Sequence, residues 1–283
     1  MDSIESYKKK IAQELALKIN LPLREAFLES QFIMQYILKK SSSNLIINKD
    51  KYISKTEREK IENVIKDRIN NLPLAYIFKE WDFYGHTFKI TKDTLIPRQD
   101  TELLIDIILH KYNINLPLKI LDLGTGSGVI GVTLARNFTK SNVLISDISI
   151  KAIEIAKKNI QNNNLKNIKC IRSNWFDKIN FYLFDIIVSN PPYIANDDLH
   201  LKCPEIIEQP EVALVSDNEG LKDIETIISQ AQKYLQIEGM LLIEHGYNQA
   251  NKVKEIFLNY KFHNIKQHKD INNKIRSSSG IKI

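Results

Sequence analysis

Cysteine is scarce. Cys170 and Cys203 are the only two in 283 residues. Their spacing fits no metal-binding pattern, and two thiols in so long a chain make no disulfide framework, so a reducing compartment is expected. Cys170 falls in an apolar, strand-like run and is read as buried. Long apolar stretches are missing as well. The longest runs, such as Phe184 to Val188, are interrupted by charge and far too short to span a bilayer. Asp2 and Glu5 stand where a secretory or transit peptide would carry no acid, so the expected location is cytoplasmic and no membrane partner is expected. There is no internal repeat and no low-complexity segment, which sets repeat arrays aside.

What is present is an ordinary globular composition, 43% hydrophobic and 26% charged, in a chain long enough for a catalytic domain and a smaller one. The formal charge of +6 admits a nucleic-acid partner. The short runs Lys8-Lys9-Lys10 and Lys39-Lys40 read instead as solvated helix faces, within a general abundance of Lys, Ile and Asn.

The first eighty residues have helical periodicity. Ile4, Tyr7, Ile11, Leu15 and Ile19 form one stripe, and Phe27, Phe32, Ile33, Tyr36 and Ile37 a second. Ser41 to Asn44 breaks the pattern, and Ser54-x-x-Glu57 has the form of a capping box that opens a third helix through Ile61, Val64, Ile65 and Ile69. Trp81 to Thr91 reads as a hairpin turning at Gly85. From residue 119 strands and helices alternate. Strands are expected at Lys119–Leu123, Asn142–Asp147, Ile168–Ile171, Phe184–Ser189 and Met240–Glu244. Helices are expected at Val129–Asn137, Ser149–Asn163, Leu221–Leu235 and Asn248–Tyr260. The alternation implies an α/β fold, a mostly parallel sheet covered on both faces. The expected organisation is a helical domain over 1–80, a hairpin linker over 81–97 and a catalytic domain over 98–283.

The first expected strand runs into Asp122-Leu123-Gly124-Thr125-Gly126-Ser127-Gly128. Glycines there allow a tight turn and close approach of a ligand to the main chain. Asp147 ends the next strand, roughly twenty residues on, where an acid can accept hydrogen bonds from ribose hydroxyls. Gly126-x-Gly128-x-x-Gly131 also fits the dinucleotide fingerprint, so this turn alone leaves a hydride-transfer enzyme open. The extra Gly124, preceded by Asp122, looks like the S-adenosylmethionine loop of Rossmann-like methyltransferases.

Asn190-Pro191-Pro192-Tyr193 follows the fourth strand. An amide nitrogen is a poor nucleophile because its lone pair is delocalised. Two acceptors placed on its N–H protons can fix it and favour a pyramidal geometry. The Asn190 side-chain oxygen and the Pro191 carbonyl can supply them, Pro191 and Pro192 stiffen the backbone, and Tyr193 offers a flat face. The motif resembles that of methyltransferases acting on adenine N6, cytosine N4 or glutamine N5, and by itself does not choose among these planar nitrogens.

Nearly the whole chain resembles the PrmC/HemK family, the protein-(glutamine-N5) methyltransferases of peptide chain release factors. The resemblance runs through Leu72-Pro73-Leu74-Ala75-Tyr76-Ile77, the hairpin with Trp81 and Phe83, and Leu95-Ile96-Pro97-Arg98. It continues through Asp100-Thr101-Glu102, the glycine loop, Ser173-Asn174-Trp175-Phe176, Val188 to Ile194 and Glu244-His245-Gly246. It implies a class I S-adenosylmethionine-dependent catalytic domain with a helical N-terminal domain that docks the release factor. It also implies a protein substrate presented as a Gly-Gly-Gln loop, no metal, no required nucleic acid and action as a monomer. By position, Gly124, Thr125, Gly126, Ser127 and Gly128 would cradle the methionine part of the cofactor, Asp147 the ribose, and Trp175 would lie near the adenine. Asn190 would sit against both cofactor and substrate, and Asn190, Pro191, Pro192 and Tyr193 would hold the glutamine amide. Gln99 stands where the family often has proline, and Asn174 where it often has Asp, though an Asn oxygen can still accept from the adenine amino group. Two other classes remain beside this one: a nucleic-acid adenine-N6 methyltransferase, for which no inserted recognition segment is visible, and a non-catalytic cofactor-binding module.

Overall fold

The computed structural model describes residues 2–180 and 183–283, and the chain divides between Lys79 and Glu80 into two units. Among the described residues no helix is long and apolar enough to cross a membrane.

The first unit is helical: α1 (Ile4–Lys18), α2 (Leu23–Leu38), α3 (Ser42–Ile47), α4 (Lys55–Ile69) and α5 (Leu74–Phe78). The capping box is formed, with Ser54 and Glu57 satisfying each other's backbone N–H groups at the start of α4. Ile4, Tyr7, Ile11 and Leu15 are buried, as the α1 stripe predicts. On α2 the buried face is rotated from the predicted one. Ala26, Ser30, Ile33, Met34 and Leu38 point inward and Phe32 is half exposed, because the small Ala26 and Ser30 let neighbouring helices approach more closely than Phe would. Arg68 on α4 donates through Nε and Nη2 to both carboxylate oxygens of Glu29 on α2, a bidentate clamp between the two helices. The expected break at Ser41–Asn44 is itself a helix start: Ser41 caps α3.

The second unit begins with the hairpin β1 (Glu80–Phe83) and β2 (His86–Lys89), paired antiparallel. The hairpin expected as a linker is integral to this unit. Buried Asn159 accepts from Lys89 N at 2.7 Å and donates to Lys89 O and to Ser127 O, tying the hairpin to the glycine loop.

The rest alternates: α6 (Glu102–Lys111), β3 (Lys119–Leu123), α7 (Val129–Asn137), β4 (Asn142–Asp147), α8 (Ile150–Asn162), β5 (Ile168–Arg172) and β6 (Phe184–Ser189). It closes with the short α9 (Pro204–Ile207) and α10 (Asp217–Gly220), then α11 (Lys222–Ala231), β7 (Leu235–Glu244), α12 (Ala250–Asn259), β8 (His263–Lys269) and β9 (Ile275–Ile281). The sheet order is β5-β4-β3-β6-β7-β9-β8. The first five of these strands are parallel, and β9 and β8 are antiparallel additions. Cys170, on β5, is half-buried rather than buried. The helix expected to reach Leu235 ends at Ala231. Leu235 already pairs with Phe184 as the start of β7.

Strand order reverses on either side of β3, since β4 and β5 lie to one side and β6 to the other. Open α/β sheets bind ligands at the carboxyl ends of the strands beside such a reversal. The glycine loop follows β3, Asp147 ends β4, Ser173 to Trp175 follow β5, and Asn190 follows β6.

Candidate active site

Those strand ends surround one cleft, lined by Gly124, Thr125, Gly126, Ser127, Asp147, Asn174, Trp175, Asn190 and Pro192 among others. Gly128, Pro191 and Tyr193 do not face it among the lining residues. The loop's shape follows from its glycines. Gly124, Gly126 and Gly128 all have positive φ, at 69°, 57° and 87°. A Cβ at Gly124 would press to 3.2 Å from the Trp175 ring, so the glycine also makes room for that wall of the cleft. The dinucleotide-like Gly131 has a packing role. A Cβ there would meet Ile145 Cγ2 at 2.2 Å, so the glycine lets α7 lie against β4.

Two carboxylates support the loop. Asp122 is fully buried and accepts from Thr125 Oγ1 at 2.5 Å and from Gly131 N at 3.0 Å. Burial pushes its carboxyl up to about 7, against the pull of those two hydrogen bonds and with added repulsion from Asp147. Asp147 accepts from Gly126 N at 2.8 Å through one oxygen and from Ser149 N at 2.9 Å through the other. Burial raises its carboxyl too, with these backbone bonds opposing. A carboxylate has about four lone-pair positions. Asp147 therefore keeps acceptor positions while its backbone bonds hold it rigid, and these fit the hydroxyl donors of a ribose.

The sign for Asp122 gives a prediction. Its folded value lies above the unfolded 3.8, so the folded state holds the proton more tightly. Stability is therefore undiminished at low pH and falls as pH rises from about 4 through about 7, by on the order of 4 kcal/mol when complete. Asp122→Asn keeps an acceptor for Thr125 and Gly131 and removes the titration. Denaturant melts at pH 5 and pH 8 should differ less in the variant than in the parent, and an equal or larger difference would refute the assignment.

Trp175 sits at φ 43°, in the left-handed region. Two side chains hold it there: Ser173 Oγ donates to Trp175 O at 2.9 Å, and Trp175 Nε1 donates to Asp223 Oδ1 at 3.1 Å. Asp223, on α11, also lines the cleft. No signal in a single sequence pairs a Trp and an Asp forty-eight positions apart.

Asn190 donates from Nδ2 to Thr101 Oγ1 at 3.1 Å. Its Oδ1 has no partner among the described residues. Asn190 lines the cleft, and its unpartnered oxygen is an acceptor, the polarity that an N–H proton of an incoming amide requires. The ring of Tyr193 does not form the expected cleft wall. It packs against the core beneath the sheet ends, and its hydroxyl donates to Glu244 Oε1 at 3.1 Å. Burial first, and then the charge of Glu244, push the phenol well above its ordinary value, so it stays protonated. Thr101, Glu244 and Asp223 were visible only as members of longer strings or not at all; their contacts arise when distant segments meet.

A family model described as Methyltransferase small domain matches residues 99–275, and one described as PrmC N-terminal domain matches residues 10–78. The release factor glutamine methyltransferase of Buchnera aphidicola from Schizaphis graminum is 41% identical over 90% of this chain and 92% of its own length. That of Francisella tularensis is 40% identical over 87% of each. The bifunctional methyltransferase of Rickettsia typhi is 37% identical over 87% of this chain, which spans 51% of that protein. Among solved structures, the hMettl16 catalytic domain in complex with a 3'UTR hairpin has a TM-score of 0.60 at 16% identity, covering 91% of this chain and 90% of its own. A Pyrococcus furiosus methyltransferase has a TM-score of 0.54 at 18% identity, covering 78% of this chain and 98% of its own. At these identities the two structures speak for the fold.

Proposed function

This chain belongs to the release factor glutamine methyltransferase family, and on that premise we propose that it methylates the side-chain N5 of the glutamine in the Gly-Gly-Gln loop of a peptide chain release factor. The donor is S-adenosyl-L-methionine and the products are N5-methylglutamine and S-adenosylhomocysteine. The bound donor supplies an electrophilic methyl group on a positively charged sulfur, which leaves positioning to the protein.

Gly124, Thr125, Gly126, Ser127 and Gly128 hold the methionine part, Asp147 the ribose, and Trp175 flanks the adenine. Asn174 accepts from the adenine amino group through its amide oxygen. Asn190 Oδ1 and the Pro191 carbonyl accept the two N–H protons of the glutamine amide. Pro191 and Pro192 keep those acceptors in place before the substrate arrives, and Tyr193 braces the segment from behind. The observation that carries this reading is the polarity of Asn190, which spends its N–H on Thr101 and keeps its oxygen. The helical first unit, matched by the PrmC N-terminal domain model, docks the release factor. Under this reading the enzyme works in the cytoplasm as a monomer and needs no nucleic acid.

Incubation of the purified protein with methyl-labelled S-adenosyl-L-methionine and a release factor, followed by peptide mass mapping, should place one methyl group on the Gly-Gly-Gln glutamine. Label on RNA or DNA with none on that glutamine would refute the reading in favour of a base methyltransferase.

A further inference from the structure

The indole of Trp175 is a wall of the cleft, and a flat ring serves as a wall in one plane only. Its main chain is set by Ser173, whose hydroxyl oxygen accepts from Lys178 N at 2.9 Å and donates to Trp175 O at 2.9 Å. That leaves the two side-chain torsions, and the ring is held at both of its ends. The far edge of its six-membered ring faces Gly124, where an added Cβ would come within 3.2 Å of Cζ3 and 3.5 Å of Cη2. The opposite end carries the N–H, which donates to Asp223 Oδ1 at 3.1 Å. An indole N–H can only donate, and among the described residues it has no other partner. The missing side chain at Gly124 makes the space, and the bond to Asp223 selects one orientation within it.

Asp223 belongs to none of the sequence motifs, yet it is firmly placed. It lies in the first turn of α11, where the helix dipole favours an acid. Ile224, Ile227, Ile228 and Ala231 bury the inner face of that helix in the core. The Asp223 backbone N–H donates to Ser216 Oγ at 3.1 Å. Ser216 is itself buried, and its own N–H donates to Ile194 O at 2.9 Å. The carboxylate that reaches the Trp175 ring is thus tied through main-chain groups to the residue after Asn190-Pro191-Pro192-Tyr193. Those ties use the Asp223 backbone, so changing its side chain leaves them in place.

We propose that Asp223 is a positioning residue of the donor site, which fixes the plane of the Trp175 ring through the indole N–H and thereby sets the affinity for S-adenosyl-L-methionine. The proposal rests on the donor assignment made above for its consequence in binding, while the ring's orientation is observable in the donor-free protein.

The side chain acts on the donor through Trp175, so its effect should be lost when the indole N–H is lost. A carboxylate that met the donor directly, or one that only stabilised the start of α11, would act with or without that N–H. A double-mutant cycle separates these cases. The side chain also leaves the Asn190 segment alone, so its removal should weaken donor binding and spare the transfer step.

The test uses Asp223→Ala, Asp223→Asn, Trp175→Phe and the double variant Asp223→Ala with Trp175→Phe. Asp223→Ala should raise the calorimetric Kd for S-adenosyl-L-methionine about 5- to 30-fold, the cost of one hydrogen bond to a charged group. Its kcat at saturating donor should stay within about threefold of the parent. Asp223→Asn keeps an acceptor oxygen and should bring the Kd back to within about threefold. On top of Trp175→Phe, Asp223→Ala should change the Kd by less than about twofold. The chain has two tryptophans, so the Trp175 indole resonance in 15N-labelled protein is assigned by its loss in Trp175→Phe. In the donor-free protein it should shift upfield in Asp223→Ala and stay near its parent position in Asp223→Asn. A donor Kd unchanged in Asp223→Ala, an indole resonance that ignores that change, or equal damage from alanine and asparagine would each overturn the proposal. So would an Asp223→Ala effect of the same size with and without the indole N–H. If Asp223→Ala does not fold, Asp223→Ser, too short to reach the indole and well suited to a helix start, is read by the same criteria. A parent that binds no S-adenosyl-L-methionine would overturn the proposal and the donor assignment together. A parent that binds it in the predicted Asp223-dependent way, yet methylates no release factor, would support the proposal and remove only the glutamine-methylation reading.

Discussion

Asn190→Ala should cut kcat for methylation of the release-factor glutamine by about 10²- to 10³-fold, the usual cost of removing one preorganised hydrogen-bonding group from a transition state. The glutamine amide is planar and its lone pair is held in conjugation. Whatever favours the pyramidal nitrogen acts on the transition state more than on the bound substrate, so the loss should fall on kcat and much less on KM. Donor binding should weaken by no more than about fivefold, since at most one hydrogen bond to it is lost. Folding should be little affected, because Asn190 is half-buried and its one bond, to Thr101, is worth about 1 kcal/mol. Rapid-quench turnover, donor titration and a urea melt measure the three quantities. An unchanged kcat would refute the role of Asn190. A loss of donor binding as large as the loss of kcat would move Asn190 from the substrate to the cofactor.

How much of this was legible before folding depends on how local each feature is. The glycine loop, Asp147 and Asn190 each sit at a strand end, and β3, β4 and β6 run as predicted, Lys119–Leu123, Asn142–Asp147 and Phe184–Ser189. A strand, a turn and a strand-end acid are properties of a few consecutive residues. The antiparallel pair β8 and β9 was not legible. β9 contains Ser277-Ser278-Ser279-Gly280, which reads as a turn, yet all four are buried between strands. Small residues are needed there, because a Cβ at Gly280 would come within 2.7 Å of the Phe257 ring on α12. The chemistry of a strand flanked on both sides was hidden by the demands of the helix above it. Tyr193 is the opposite case. Its aromatic ring suggested a surface for a planar substrate, but its hydroxyl had a stronger claim, the buried carboxyl of Glu244 fifty-one positions away in the chain. Thr101 and Asp223 belong with it, since each matters only through a partner brought by topology.

Gly220→Ala is expected to have the largest structural effect, although Gly220 lies in no motif. Its φ is 79°, and a Cβ there would stand 2.0 Å from the Tyr193 carbonyl oxygen and 2.6 Å from its carbon. These are backbone atoms, so no side-chain rotation relieves the contact. The segment they belong to is already fixed on three sides. Gln249 Nε2 donates to Tyr193 O at 2.9 Å and to Glu219 O at 2.9 Å, and Ile194 exchanges hydrogen bonds with Leu214 and Ser216. Ile194 thereby forms a bridge beside Val215. The left-handed backbone alone costs a non-glycine residue about 1 to 2 kcal/mol, and overpacking adds about 1 to 3 kcal/mol. A urea melt should therefore show a loss of roughly 2 to 5 kcal/mol. Part of that strain can be released only by moving the Tyr193 backbone, and with it Pro191, Pro192 and Asn190. In the fraction that remains folded, kcat should fall at least tenfold, while donor affinity, which we assign to the glycine loop and Asp147, should stay near that of the parent. Gly239→Ala serves as a comparison, because its Cβ would also meet backbone, Gln236 O at 2.8 Å and Phe184 O at 3.0 Å, but at the opposite end of β6 and β7 from Asn190. It should lower stability without the selective loss of kcat. If Gly239→Ala and Gly220→Ala reduce kcat equally at equal folded fraction, the damage is general and the close approach of Gly220 to Tyr193 has no special part in holding the site.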